Sequence, residues 1–146
     1  MMMLTPRAAS EVGVRDRSNM EQNLRGGAKY FRRLMDDLEG DIAPAERELF
    51  ALAAYNMGPA HLADARKLAS LRGANPDLWS DVENQLPLLG KREWRTHTDY
   101  GYARGLETAS FVNGVWQYHR FLEHHGNADG LYAIRTPRDT RGASGS

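Results

Sequence analysis

Between Ala51 and Gly58 the chain reads Ala-Leu-Ala-Ala-Tyr-Asn-Met-Gly, an apolar run with no obvious solvent face that stops on two polar side chains and a glycine. A helix that is apolar on every side needs neighbours on every side, so this segment is expected at the centre of a helical domain. Burying a phenol or an amide unpaired costs on the order of 1 to 3 kcal/mol. Tyr55 and Asn56 therefore belong either to a hydrogen-bonded scaffold or to the wall of a binding cleft, and spacing alone leaves both open. Gly58 suits a helix C-cap in either case.

The flanking sequence carries further helix punctuation. Thr5-Pro6 reads as an N-cap and first helical residue, with Gly13 as the stop after a short helix from Pro6 to Val12. Asn19 can cap a helix from about Met20 to Leu38, ended by Gly40, in which Leu24, Ala28, Phe31, Met35 and Leu38 mark one buried face. Gly26-Gly27 interrupts it at about 1 kcal/mol per glycine relative to alanine, which close helix contact explains better than propensity does. Pro44, with Glu46 and Glu48 near the positive end of the dipole, starts the central helix, which runs to about Asn56. Two more helices are expected, from Pro59 to Gly73 and from Asn75-Pro76 to near Leu86. The segment from Leu86 to Thr98 reads as the longest surface loop. A last helix carries Val112, Val115, Tyr118 and Leu122 on one stripe to about His124. No strand pair or internal repeat is visible, and the expected fold class is all-α.

With 146 residues the chain suits one domain, 1–125, followed by a flexible Arg-, Thr-, Ser- and Gly-rich tail, 126–146. Nineteen basic residues balance nineteen acidic ones, which gives no overall electrostatic case for nucleic acid or an anionic membrane. Cysteine is absent, so disulfides and thiolate metal sites are excluded. The histidines at 61, 97, 119, 124 and 125 contain no His-Glu-x-x-His spacing, and no metal site is expected. No phosphate loop, dinucleotide fingerprint or nucleophile elbow occurs. The start, Met1 to Arg7, has neither a signal-peptide pattern nor a spanning segment of about 20 apolar residues.

Five blocks follow one another: Met1-Met2-Met3-Leu4-Thr5, Gly26-Gly27-Ala28-Lys29-Tyr30, Ala53-Ala54-Tyr55-Asn56-Met57-Gly58, Leu86-Pro87-Leu88-Leu89, and Tyr100-Gly101-Tyr102-Ala103-Arg104-Gly105. From Met1 to about His119 this ordered set resembles the catalytic domain of bacterial lytic transglycosylases of the soluble-lytic-transglycosylase, goose-lysozyme-like type, most closely a membrane-bound branch of it. The resemblance implies a lysozyme-like helical domain that needs no cofactor and acts on peptidoglycan glycan strands. It also implies a place in the cell envelope or periplasm, associated with the outer membrane in a full-length protein.

Enzymes of this type cleave the β-1,4 bond between N-acetylmuramic acid and N-acetylglucosamine and leave a 1,6-anhydromuramyl end. A single glutamic acid protonates the leaving oxygen, then accepts the proton of the sugar's own 6-hydroxyl. With the substrate acetamido group helping, the second carboxylate of ordinary glycosidases is dispensable. In the family that glutamate stands in a Glu-Ser pair before a Gly-Leu-Met-Gln-like turn, and Met1, Met2 and Met3 match the last positions of the turn. The expectation is a chain that lacks the first helix and has no catalytic acid of its own, impaired when alone. The alternative is a non-catalytic glycan-binding module.

By the same resemblance Tyr55 would orient the acid, Asn56 would bind a sugar acetamido or hydroxyl group, and Gly58 would admit close sugar approach. Met2 and Met3 would line the groove, although the family often has glutamine where Met3 stands. Tyr100 and Tyr102 are groove candidates through aromatic stacking, with packing as the competing role. Glu107 is a supporting residue, with an ion pair as its competing role, and Phe111 stands where the family usually has tyrosine. Glu48 shares a face with Tyr55 but two turns away, roughly 10 Å, too far to pair with it. Asp36, Asp37, Glu39 and Asp41 are expected to form a solvated acidic surface.

Overall fold

The computed structural model describes residues 4–129, so Met2 and Met3 lie outside the described residues, as does most of the expected tail. The described elements are α1 (Pro6–Glu11), α2 (Met20–Asp36), α3 (Pro44–Met57), α4 (Pro59–Leu71), α5 (Trp79–Glu83), two 3-10 turns (Leu86–Gly90 and Arg92–His97) and α6 (Gly105–Asp129). Among the described residues there is no strand, and the fold is all-α and lysozyme-like. Two compact units divide between Asn113 and Gly114. The second contains the later part of α6, where Trp116 stacks on His119 and Phe121 on His125.

Local chemistry accounts for the helix ends. The Thr5 hydroxyl accepts the Ala8 N–H at 3.2 Å, and Asn19 Oδ1 accepts the Gln22 N–H at 3.0 Å. At the carboxyl end of α2 the Arg47 guanidinium donates to the Met35 carbonyl, a group the helix itself leaves unpaired, and to the Leu38 carbonyl just beyond the helix. α3 ends at Gly58, whose φ of 96° lies in the region that favours glycine, and Pro59 starts α4 immediately. The one-residue joint turns the chain sharply at the Tyr-Asn-Met-Gly corner.

α3 is the central helix. Phe50, Ala51, Ala53 and Ala54 are fully buried, against α2, α4 and α5, and the Phe50 ring meets Trp79 edge-on at 5.3 Å. Leu68, Val82, Leu86, Leu89 and Val112 are among the buried residues of the same core. Full burial of side chains of this size is worth about 1.5 to 3 kcal/mol each.

Two expectations are corrected. Leu24 and Ala28 on α2 are exposed, and the buried N-terminal face is instead Asn23 and Gly26. Asn23 Oδ1 accepts the Leu4 N–H at 3.3 Å, and Gly26 lets Leu4, Val12 and Val14 pack against bare backbone, so α1 selects the polar and glycine face of α2. The segment from Leu86 to Thr98 is a surface loop only in its second half, and its first half is part of the core. The first 3-10 turn buries Leu86, Leu88 and Leu89, because Pro87 and Gly90 break α-helical hydrogen bonding without exposing the leucines, while the second, Arg92–His97, buries no residue. Gly105 packs its Cα against the Leu86 carbonyl, with no room for a Cβ, and so seats the start of α6.

α1 adds a small second core of Leu4, Ala8, Ala9 and Val12. Tyr30 and Tyr55 pack against both cores and form the seam between them.

Candidate functional site

An open cleft of about 570 Å³ lies above that seam, walled by α1, α2 and the α3–α4 joint. Tyr55, Asn56 and Gly58 line it together, with Met57 beside them. Tyr30 contributes the facing aromatic surface, its ring tilted 57° from that of Tyr55 at a centroid distance of 5.6 Å.

The Tyr55 hydroxyl reaches toward Gly27, where an added Cβ would lie 3.2 Å from the oxygen. The second glycine of the pair is thus the space the phenol occupies. Burial alone raises the Tyr55 pKa above its ordinary value of 10.0. Tyr30 is raised chiefly by burial and further by the charge of Glu11. Both phenols therefore remain protonated donors at neutral pH.

Asn56 is exposed, but its oxygen is fixed. Thr108 Oγ1 donates to Asn56 Oδ1 at 2.8 Å, shorter than the 3.3 Å to the Arg104 carbonyl that competes for the same proton. With the oxygen engaged, the two amide hydrogens of Asn56 are presented as donors, the polarity a sugar acetamido carbonyl accepts.

The other expected site residues fall elsewhere. Tyr100 and Tyr102 are exposed and do not line this cleft; the Arg95 guanidinium lies over the Tyr102 ring at 5.6 Å. The buried Asp64 carboxylate accepts the backbone N–H groups of Asp99 and Tyr100 at 2.8 and 2.9 Å, which pins that segment to α4. Glu107 is exposed, 3.8 Å from the Arg104 guanidinium, while its neighbour Thr108 makes the bond to Asn56. Glu48 is exposed. Asp37 and Glu39 are exposed, and they also line the cleft.

Several lining residues were not singled out from sequence. Arg7, Glu11 and Arg33 join Asp37 along the α1 and α2 walls. Arg7 and Glu11, like Arg33 and Asp37, stand four residues apart, a spacing that a helical pattern discloses. That Arg33 also reaches Glu11 depends on how α1 packs on α2, which no local pattern contains. Among the described residues no group of three or more His, Cys, Asp or Glu side chains is disposed to hold a metal ion.

The family model for the transglycosylase SLT domain matches residues 1–77. A protein of Vibrio cholerae serotype O1 named membrane-bound lytic murein transglycosylase F is 44% identical over 125 residues, covering 86% of this chain and 24% of that relative. Proteins of the same name from Pseudomonas syringae pv. syringae and Pseudomonas fluorescens are 46% and 47% identical over 122 residues, 84% of this chain. The chain spans about a quarter of the length of the curated relatives it matches.

Proposed function

The chain belongs to the transglycosylase SLT domain family, and from that membership and the cleft we propose that it forms the glycan-holding wall of a peptidoglycan lytic transglycosylase. The reaction served is cleavage of the bond between N-acetylmuramic acid and N-acetylglucosamine, with the muramyl 6-hydroxyl closing on C1 to give the 1,6-anhydro end. The observation that carries this reading is that Tyr55, Asn56 and Gly58 line one open cleft at a helix joint.

Asn56 donates to an acetamido or hydroxyl oxygen of the sugar. Tyr55, protonated and half-buried, donates to the reacting carboxyl and orients it. The carboxyl itself is assigned to none of this chain's residues. No Glu-Ser pair occurs in the 146 residues. Glu11 lies 3.3 Å from the Arg7 guanidinium and 3.9 Å from that of Arg33, both of which it pairs with. Asp37 and Glu39 are exposed, and Asp37 pairs with Arg33.

The partner is the glycan strand of peptidoglycan, and the setting is the cell envelope. No described helix is long and apolar enough to cross a membrane. Incubation with peptidoglycan sacculi tests the reading. The chain alone is expected to release little or no 1,6-anhydromuropeptide, and the chain preceded by a helix ending in Glu-Ser is expected to release it. Robust release by the chain alone would contradict the assignment of the acid. Binding without turnover in both would favour the non-catalytic glycan-binding module.

A further inference from the structure

We propose that α1 is a gate for the cleft: it docks on α2 and on the Tyr30–Tyr55 seam, opens by itself while the main core stays folded, and is held shut by whatever occupies the cleft. The opening is a property of the fold alone. That a glycan is the occupant rests on the glycan-groove reading above.

α1 is a full wall of the cleft but a minor part of the buried interior. Arg7, Ala8 and Glu11, with Leu4 and Thr5 just before the helix, line the cleft. Leu4, Ala8, Ala9 and Val12 are buried in a cluster separate from the one that holds Phe50, Leu68, Val82 and Val112. Two of its members are alanines, which bury little area, so apolar burial favours docking of α1 far less than it favours the main core. The polar ties are weak as well. The Leu4 N–H donates to Asn23 Oδ1 and the Arg17 guanidinium to the Leu4 carbonyl, both at 3.3 Å, longer than an ordinary hydrogen bond. The pair of Glu11 with Arg33 spans 3.9 Å, and the Arg33 side chain is 53% exposed, so water screens it.

The joint between α1 and α2 suits a hinge. Gly13 has a φ of 75°, and an added Cβ there would meet nothing within 4 Å, so no packing braces the residue that turns the chain. A helix of 6 residues does not persist without a partner, which makes undocking and unwinding of α1 one local event. The docked fit is set by Gly26, whose bare backbone admits Val14, Leu4 and Val12. With α1 away, Tyr30 and Tyr55 lose the small core packed against them, and the corner at Asn56 becomes a shelf open on one side. A polymer strand enters such a shelf sideways, without threading an end, and redocking of α1 closes the wall across it.

Native-state hydrogen exchange of the full chain, read amide by amide, tests the gate. The Ala9, Val12 and Val14 N–H groups, bonded to the Thr5, Ala8 and Ala9 carbonyls, should share one protection factor. It should be about a hundredfold or more below that of Ala53 and Ala54 in α3 and nearly insensitive to low urea, the mark of an opening that exposes little surface. Val82→Ala weakens the main core whether α1 is docked or not, so it should speed exchange at Ala53 and Ala54 by about tenfold or more and leave the α1 amides unmoved. Gly26→Ala crowds the docked state and should speed the α1 amides by about tenfold. Chitotetraose at about 100 times its Kd should slow them by about a hundredfold, because it binds the closed cleft. Equal protection of α1 and α3, a Val82→Ala effect common to both, or unrelated protection factors within α1 overturns the gate. So does a chitotetraose complex, registered at the Asn56 side-chain amide, in which α1 exchanges as fast as before. Should chitotetraose not bind, the glycan reading fails, and the urea and Val82→Ala results still decide whether α1 opens alone.

Discussion

Thr108, only 1% exposed, donates its hydroxyl to Asn56 Oδ1 across 2.8 Å and ties the corner between α3 and α4 to the first turns of α6. The amide that lines the cleft is therefore oriented by a residue 52 positions away in sequence. Thr108→Val keeps the shape and removes the donor. It should cost about 1 kcal/mol of stability in a denaturant melt. It should also weaken chitooligosaccharide binding, because Asn56 loses the bond that faces its amide hydrogens toward the ligand.

The glycines make an ordered prediction. At Gly105 a Cβ would collide with the Leu86 backbone carbonyl, which cannot swing aside, and Gly105→Ala is expected to destabilise the most, by about 3 kcal/mol or more. At Gly26 the obstacles are the Val14 and Leu4 side chains, and the expected cost of an alanine is about 1 to 2 kcal/mol. Gly27→Ala meets only the Tyr55 hydroxyl at 3.2 Å, and the gain in helix propensity offsets a small displacement. Its stability should change by less than about 1 kcal/mol while the Tyr55 ring resonances shift. Thermal melts of the three variants check the order.

Much of this architecture was legible in the chain, for reasons that are local. The N-caps at Thr5 and Asn19, the proline starts at Pro6, Pro44 and Pro59, and the all-round apolar character of α3 are set by residues within one or two turns, and each appears in the structure. What failed was tertiary. Leu24 and Ala28 continue the apolar period of α2, yet α1 packs instead on Asn23 and Gly26, where a glycine admits it. Leu86-Pro-Leu-Leu looked like loop because its proline and glycine hide the burial of its leucines. At the site, the grouping of Tyr55, Asn56 and Gly58 follows from adjacency at a helix end. The row from Arg7 to Asp37 and the bond from Thr108 arise from contacts between distant segments, and sequence spacing discloses only their halves.

Asp64 should prove the most sensitive polar position on α4. Its carboxylate is 1% exposed and accepts two backbone N–H groups, from Asp99 and Tyr100. Asp64→Asn turns a donor toward one of those N–H groups. The expected loss is about 1.5 to 3 kcal/mol, with increased hydrogen exchange at Asp99 and Tyr100. Unchanged exchange there would remove the role given to this carboxylate.

Acid should loosen the clip beneath Gly40. Asp77 accepts the Asp41 N–H and pairs with Arg66, and the backbone bond, then Arg66, holds its pKa below the ordinary 3.8. A group depressed in the folded state contributes stability that is complete above its unfolded value and is lost as pH falls through the folded one. Asp77→Asn should therefore be less stable than the unaltered chain at pH 7, and the gap should narrow below about pH 4. A gap independent of pH in denaturant melts would show that the carboxylate charge is not what holds the clip.

The central claim is that the corner formed by Tyr55 and Asn56 is where the glycan sits. Titration of the chain with chitotetraose, followed by the ring resonances of the tyrosines and the side-chain amide of Asn56, tests it most directly. We expect Tyr30, Tyr55 and Asn56 to shift together along one binding curve, with Asn56→Ala abolishing the response. Shifts confined to Tyr100 and Tyr102, or no shift at saturating glycan, would contradict it.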